Sequence, residues 1–151
     1  MESNKTKLEK ALTLLNLELS QEQINQFMDY YDLLIEWNKV MNLTSITELD
    51  DVIYKHFIDS LSLCKYFDLE ENYKIIDIGT GAGFPGIPLK ITFPNLEITL
   101  LDSLNKRVNF LNEVIQNLRL SKIVAIHGRA EELAKKENHR QYYDMAVSRA
   151  V

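Results

Sequence analysis

The chain contains 151 residues, of which 46% are hydrophobic and 26% are charged, a length and balance typical of a globular domain with a buried core. No apolar run approaches the roughly 20 residues that cross a bilayer, and a single cysteine, Cys64, excludes an internal disulfide and a cysteine-rich zinc site. Residues 1–5 lack the apolar core of a secretory signal. We therefore expect a protein of the cytoplasm that neither enters a membrane nor binds a metal.

The net charge of −5 is distributed unevenly along the chain. Residues 1–72 hold 6 Lys against 14 Asp and Glu, whereas residues 105–140 hold 8 Lys and Arg against 4 Glu. The acidic total disfavours indiscriminate binding to nucleic acids, but a local basic face is compatible with a structured RNA partner. Solvated helix faces would explain the same charges. The basic residues of the second segment are Lys106, Arg107, Arg119, Lys122, Arg129, Lys135, Lys136 and Arg140.

The first 72 residues are predicted to form a helical cap, because apolar residues recur there at helical spacing. Ser20, with Gln23 three residues later, has the pattern of a capping box at the start of the second helix. The helical pattern breaks at 41–44, after which Thr47 is expected to cap a further helix. The predicted apolar face of the second helix consists of Ile24, Phe27, Met28, Tyr31, Leu34 and Ile35.

From residue 73 onward short strands alternate with helices, which indicates right-handed βαβ units and a parallel, doubly wound α/β sheet. Residues 73–151 are therefore assigned to the N-terminal half of a cofactor-binding domain. We expect only a half because four strands would leave an apolar strand exposed at the edge of the sheet. The predicted strands are Lys74–Ile78, Glu97–Leu101, Ser121–Ile126 and Tyr143–Val147; the predicted helices are Pro85–Thr92, a segment from Asp102 or Ser103 to about Leu118, and Ala130–Lys136.

Four of the five glycines fall within eight residues, 79–86, directly after the first predicted strand. Pro85 and Pro88 lie where the first turn of the next helix is expected, a position that tolerates proline. Glycine accepts positive φ and leaves room for a ligand, and the N–H groups at a helix N-terminus point towards one. The sequence therefore predicts a cradle for a nucleotide cofactor; a tight turn that binds nothing is the alternative.

The order of these glycines distinguishes between cofactors. A dinucleotide-binding loop would need glycine where Phe84 stands. The observed order, Asp77 followed by Gly79, Gly81 and Gly83 at alternate positions, resembles motif I of the class I S-adenosylmethionine-dependent methyltransferases.

A second acidic residue, Asp102, ends the second predicted strand. A carboxylate at that point accepts hydrogen bonds from ribose hydroxyls. NAD enzymes share this feature, so it indicates a nucleoside without choosing between cofactors. Capping of the following helix is the alternative role.

Six segments of the chain resemble one family. They are Trp37-Asn38-Lys39-x-Met41-Asn42-Leu43-Thr44, His56-x-x-Asp59-Ser60-Leu61, the glycine loop with its flanks at 77–89, and residues 100–111, 129–132 and 143–150. Together they resemble the RsmG or GidB family of bacterial 16S ribosomal RNA guanine-N7 methyltransferases. The resemblance covers the whole chain and implies a Rossmann-like sheet behind a helical cap, with the C-terminal strands and helices of the family beyond residue 151.

The resemblance also implies a site for S-adenosylmethionine. Phe84 would close over the cofactor, and Ala130 and Glu131 would lie near its adenine. Arg149 would hold the cofactor carboxylate or an RNA phosphate. The contacts implied by the family are Gly79, Phe84, Ala130, Glu131 and Arg149, and the general methyltransferase pattern adds Asp77, Gly81, Gly83 and Asp102.

The implied reaction is transfer of a methyl group to guanine N7 in 16S ribosomal RNA or in the small ribosomal subunit, by a monomeric enzyme. The N7 lone pair is free in an ordinary base pair, so we expect no general base and assign no catalytic residue. His56 and Asp59, three apart on one helical face, could face the cleft, but the expected role is a structural hydrogen-bonded pair. Trp37 is expected to anchor the cap in the core, with stacking on a base as the alternative. An NAD-binding oxidoreductase fragment and an inactive half-domain that serves only as an interaction module are the alternatives.

Overall fold

The structure, a computed structural model, describes residues 2–136, 139 and 141–149, and its first layer is helical. Helix α1 spans Asn4–Leu12 and helix α2 spans Gln21–Met41. The helical segment α3, residues 49–61, joins the α-helical turns Leu49–Asp51 and Asp59–Leu61 through a π-helical stretch at Val52–Ile58. Turns of 3₁₀-helix at Thr13–Leu15 and Ser62–Lys65 complete this layer.

Of the two predicted helix caps in this layer, one is confirmed and one is wrong. At α2 the Gln23 amide donates to the Ser20 hydroxyl at 3.1 Å, and the Gln23 side-chain oxygen accepts from the Ser20 amide at 2.9 Å. At α3 the helix begins after Glu48, and no side chain caps it. The Thr47 carbonyl instead accepts a hydrogen bond from the Tyr31 hydroxyl at 2.7 Å.

The second layer is a parallel four-stranded sheet in the order β3-β2-β1-β4. Its strands are β1 at Lys74–Ile78, β2 at Glu97–Asp102, β3 at Ile123–His127 and β4 at Met145–Val147. The connecting helices are α4 at Gly86–Thr92, α5 at Asn105–Asn117 and α6 at Ala130–Leu133. The predicted alternation of strands and helices is therefore confirmed in type and in order.

Several element ends differ from the predicted ones, for local reasons. Strand β3 begins at Ile123 because Lys122 has a φ of +56°, which a strand does not accommodate. Asp102 belongs to β2 rather than capping α5 as an N-cap residue; its carboxylate accepts from the Leu104 amide, and α5 begins one residue later, at Asn105. Helix α6 and strand β4 are both shorter than predicted.

One continuous hydrophobic core joins the cap to the sheet layer. Trp37 packs against Phe110 of α5, with the ring centroids 5.7 Å apart, as expected for an anchor of the cap. Side chains of α2 also cap the C-terminal ends of two helices. The side-chain amide of Gln23 donates to the last two carbonyls of α4, at 2.9 and 3.2 Å. The side-chain amide of Gln26 donates to the Leu118 carbonyl at the end of α5, at 2.9 Å. The division into two domains at residue 72 remains a prediction, but the two parts share a core.

Candidate functional site

The residues predicted to bind the cofactor converge on the carboxyl edge of the sheet. The loop 79–85 follows β1, Asp102 ends β2, Ala130 follows β3, and Arg149 follows β4. The four strands are parallel, so these segments leave the sheet at the same edge. Open α/β sheets bind their ligands there.

The glycines of the loop divide into two kinds. Gly79 and Gly81 have φ values of +66° and +62°, and a Cβ added to either would meet no atom within 4 Å. Gly83, at φ +102°, faces the interior: a Cβ there would lie 2.6 Å from a side-chain carbon of Ile87 and 2.7 Å from the Tyr30 hydroxyl. The first two glycines therefore border open space, whereas the third allows the cap to approach the loop.

Asp77 supports this loop from within the protein. Its side chain is fully buried, and one carboxylate oxygen accepts from the Thr80 hydroxyl at 2.6 Å and from the Gly86 amide at 2.9 Å. The other oxygen has no partner among the described residues. Burial raises the pKa of Asp77 to about 7, against the opposing effect of its two hydrogen bonds. The arrangement fixes the loop to the start of α4 and does not expose the carboxylate.

Asp102 connects three elements at the carboxyl edge. One of its oxygens accepts from the Gly81 amide at 2.9 Å, and the other accepts from the Leu104 amide at 3.0 Å. The Arg107 guanidinium lies 3.5 Å from that second oxygen. The side chain is only 2% exposed, so a ribose hydroxyl would reach it only if the glycine loop moved aside. Sequence reasoning anticipated the position of this carboxylate but not its bond to the loop.

Phe84 lies between the loop and the cap. Its ring stacks on the His56 ring, with centroids 4.3 Å apart and an interplanar angle of 11°, and it lies 5.7 Å from the Tyr30 ring. Only 5% of the residue is exposed. In this structure the ring packs against the aromatic side chains of the cap, on the inner side of the loop, and its closing over the cofactor stays a prediction.

Tyr30 is a residue of the site that sequence reasoning missed. It is fully buried, and its hydroxyl donates to the Ala82 carbonyl in the glycine loop at 2.5 Å. Burial raises the pKa of Tyr30 well above its ordinary value. Helical spacing had favoured the neighbouring Tyr31 for the core, and residues three or four positions from Phe27 satisfy that spacing equally. No signal in the sequence separated the two tyrosines.

Arg149 is held by α3. One terminal nitrogen of its guanidinium lies 2.9 Å from His56 Nδ1, and the other lies 3.5 Å from the Asp59 carboxylate and from the Ser60 hydroxyl. The predicted pair between His56 and Asp59 is therefore wrong: both side chains contact Arg149 instead. Burial and the charge of Arg149 lower the pKa of His56 to about 4.

The segment after β3 lies two strands away from the glycine loop. Ala130, at the start of α6, packs with Leu101 and Leu133 in a small second cluster of apolar side chains, while Glu131 is exposed. The Gly128 amide donates to the Asp102 carbonyl at 3.0 Å and so ties this segment to the end of β2. Among the described residues, no group of three or more His, Cys, Asp or Glu side chains is placed to hold a metal ion, and no helix there is long and apolar enough to cross a membrane.

The fold is that of the class I S-adenosylmethionine-dependent methyltransferases. A protein-L-isoaspartate O-methyltransferase from Plasmodium falciparum, solved with S-adenosyl-L-homocysteine, matches 98% of this chain and 73% of its own, with a TM-score of 0.56 and 16% identity. Coclaurine N-methyltransferase, solved with N-methylheliamine and S-adenosyl-L-homocysteine, matches 96% of this chain and 49% of its own, with a TM-score of 0.54 and 14% identity.

The chain belongs to the GidB family, rRNA small subunit methyltransferase G, whose family model matches residues 23–151. It is 56% identical over 151 residues to the ribosomal RNA small subunit methyltransferase G of Lachnoclostridium phytofermentans and covers 62% of that protein. It is 56% identical over 137 residues to the protein of the same name from Alkaliphilus metalliredigens, covering 91% of this chain and 57% of the relative. For the relative from Desulforamulus reducens the identity is 54% over 144 residues, which cover 95% of this chain and 60% of the relative. The chain thus spans about three fifths of the length of these relatives.

Proposed function

We propose that this chain forms the cofactor-binding part of an enzyme that transfers a methyl group from S-adenosylmethionine to N7 of a guanine in 16S ribosomal RNA. Membership of the GidB family supports the reaction and the substrate. The observation that carries the cofactor assignment is the glycine loop: Gly79 and Gly81 border open space at the carboxyl edge of the sheet, beside the Asp102 carboxylate. The two alternative functions gain no support from the relatives or from the fold.

The residues present fit an adenosine cofactor with an amino-acid tail. The open faces of Gly79 and Gly81 leave room for it beside the loop. Asp102, whose two oxygens accept from the Gly81 and Leu104 amides, would accept from ribose hydroxyls once the glycine loop moved aside. The Arg149 guanidinium suits the carboxylate of the tail. Contacts by Ala130, Glu131 and the main chain of Phe84 remain part of the proposal. Asp77 and Gly83 act inside the protein, where they fix the loop and the cap that packs on it.

The proposed reaction needs no basic side chain. S-adenosylmethionine, when bound, would supply a methyl group activated by its positively charged sulfur, so the acceptor needs only a lone pair. Guanine N7 presents such a lone pair without losing a proton. The three side chains whose pKa values shift to about 4, 7 and 8 are also poorly placed to act as bases. Both ring nitrogens of His56 are engaged, by Thr44 and Arg149, and Asp77 is fully buried. Lys90 is buried and donates to the Pro94 and Leu96 carbonyls, before the start of β2. The protein contributes position and orientation.

The basic residues expected to face RNA divide between two edges of the sheet. Lys106 lies in the first turn of α5 and Arg129 follows β3, so both lie at the carboxyl edge of the sheet, the edge that carries the cofactor loop. Arg119 follows the end of α5 and Lys122 precedes β3, so these two lie at the opposite edge. The first pair is therefore the better candidate for contacts with the substrate RNA. Arg140 lies outside the described residues.

The test begins with calorimetric titration of S-adenosylhomocysteine, with NAD as the comparison ligand. We expect micromolar binding of the first ligand alone. Gly79→Ala should weaken it at least tenfold, because the added methyl group enters the open space beside the loop and strains a backbone at φ +66°. Gly128→Ala should bind normally, because this glycine has no positive φ and its Cβ would make only an ordinary contact with Leu101 at 3.7 Å. Preference for NAD would refute the cofactor assignment.

The second step is transfer of labelled methyl groups to small ribosomal subunits and to free 16S RNA. Chemical cleavage of the labelled RNA at 7-methylguanine should cut the chain at one position. Label at any other atom would refute the proposed reaction. Location in the cytoplasm, a monomeric state and independence of metals remain predictions.

A further inference from the structure

Arg149, at the carboxyl edge of the sheet, takes its position from the helical cap. Its side chain is 29% exposed and lines a groove of about 380 Å³ between α3, with the turn after it, and the end of β4. Among the described residues, its shortest polar contact is the 2.9 Å bond from one terminal nitrogen to His56 Nδ1. The contacts of the other terminal nitrogen, to the Lys55 and His56 carbonyls, Ser60 and Asp59, are all 3.5 Å long.

The direction of this bond follows from chemistry. A guanidinium only donates hydrogen bonds, so His56 Nδ1 must accept with a free lone pair. The proton of the neutral ring then lies on Nε2, which donates to the Thr44 hydroxyl at 2.9 Å. The hydroxyl in turn accepts from the Ile46 amide at 3.0 Å. The loop after α2 therefore fixes the tautomer that receives Arg149.

The His56 ring is itself immobilised. It is 6% exposed and stacks on Phe84, whose ring also lies 5.0 Å from the Arg149 guanidinium. The glycine loop, which contains Phe84, and the end of β4 thus meet at one side chain of the cap. An acceptor at this point fixes one terminal nitrogen of the guanidinium by a short bond, while the long 3.5 Å contacts leave the other free to exchange partners at the groove.

We propose that His56 is a positioning residue for the cofactor carboxylate: its Nδ1 lone pair orients Arg149 so that the guanidinium receives the carboxylate of S-adenosylmethionine. This inference rests on the proposed function and adds the cap to the cofactor site. The expected consequence is an effect on cofactor affinity that operates only through Arg149.

The experiment measures the Kd of S-adenosylhomocysteine for the full-length protein and its variants. We expect Arg149→Ala to bind more than tenfold more weakly and His56→Leu about five- to tenfold more weakly, since a hydrogen bond to a charged group is lost. His56→Asn should bind within about twofold of the unmodified protein, because its side-chain oxygen stands as many bonds from Cβ as Nδ1 does. The control Tyr31→Phe removes another hydrogen bond of the cap and should leave the Kd unchanged.

The double variant His56→Leu with Arg149→Ala separates positioning from support of the fold. If His56 acts through Arg149, the double variant binds like Arg149→Ala alone. If His56 only supports the fold, the fold-losses of affinity in the two single variants would multiply in the double variant. His56→Asn would then also fail to restore binding. Either result overturns the inference. An unchanged Kd in Arg149→Ala also overturns it but leaves the proposed function intact. Failure of the unmodified protein to bind refutes the proposed function itself.

The pH profile gives a second readout. The charged groups that face His56 are Arg149, from the end of β4, and Asp59, from its own helix. Protonation of Nδ1 would remove the acceptor, so affinity should fall between pH 5 and the His56 pKa of about 4, below the range in which Asp77 titrates. In His56→Asn this acidic decline should disappear; its persistence would contradict the inference.

Discussion

Replacing Tyr30 by phenylalanine tests whether the cap shapes the cofactor loop. The change removes only the hydroxyl that donates to the Ala82 carbonyl at 2.5 Å, in a residue that is fully buried. The lost bond and the unpaired buried carbonyl together cost about 1–3 kcal/mol of the free energy of unfolding. The ring and its packing against Phe57 and Phe84 remain, so the loss isolates the polar contact.

The assay is urea denaturation followed by fluorescence or circular dichroism. With a slope of about 2 kcal/mol per molar urea, the midpoint should fall by roughly 0.5–1.5 M. The matched control is Tyr31→Phe, whose hydroxyl bonds an exposed carbonyl at 2.7 Å and should change the midpoint little. We also expect Tyr30→Phe to weaken binding of S-adenosylhomocysteine severalfold, because the loop loses its contact with α2.

An unchanged midpoint in Tyr30→Phe would refute this reasoning, since it would mean that the Ala82 carbonyl finds water or another donor at no cost. A fall in stability without any change in ligand affinity would refute the second part alone. The loop would then hold its shape through Asp77 and Asp102 without the help of the cap.

Three further predictions concern packing, pH and RNA. Gly83→Ala should lower the free energy of unfolding by about 2 kcal/mol or more, measured by urea denaturation, because its Cβ would collide with protein atoms; an unaffected midpoint would contradict the packing described for the loop. Between pH 4 and 6.5 the neutral His56 should make stability rise with pH, by about 3 kcal/mol at most, since the unfolded chain binds the proton more tightly. Asp77 has the opposite effect: its pKa is about 7 in the folded protein against 3.8 in the unfolded chain, so its ionisation lowers the free energy of unfolding as the pH rises. Asp77→Asn removes this effect, and the urea midpoint of the variant should therefore rise more steeply with pH than that of the unmodified protein. An equal slope in the two proteins would count against these assignments. Arg129→Ala should reduce the salt dependence of 16S RNA binding more than Lys122→Ala does, as filter-binding titrations can measure, and equal effects would place the RNA elsewhere.

Predictions from the sequence were correct where the interacting residues lie close together along the chain. The capping box of Ser20 and Gln23 was correctly predicted because its two partners lie three residues apart. Strand β1 was predicted with both ends correct. Strand β3 was predicted to begin two residues too early, because the positive φ of Lys122 cannot be read from the residue types around it. The exact ends of short elements depend on single dihedral angles that neighbouring residues do not reveal.

The sequence by itself determined the fold class and the chemical character of the site. Alternating strands and helices imply a parallel sheet, parallel strands end at one edge, and the spacing of Gly79, Gly81 and Asp102 places open glycines and a carboxylate at that edge. Each of these inferences depends on local periodicity or on topology. Both can be worked out along the chain without knowing which surfaces meet.

Only the tertiary structure decided which side chains support the site. Arg149 meets His56 across 93 residues of sequence, and Tyr30 meets Ala82 across 52. The expected pairing of His56 with Asp59 failed because it was judged from neighbours along the chain. These contacts depend on how the cap packs against the sheet, and the packing of two buried faces is set by the shapes of many side chains at once.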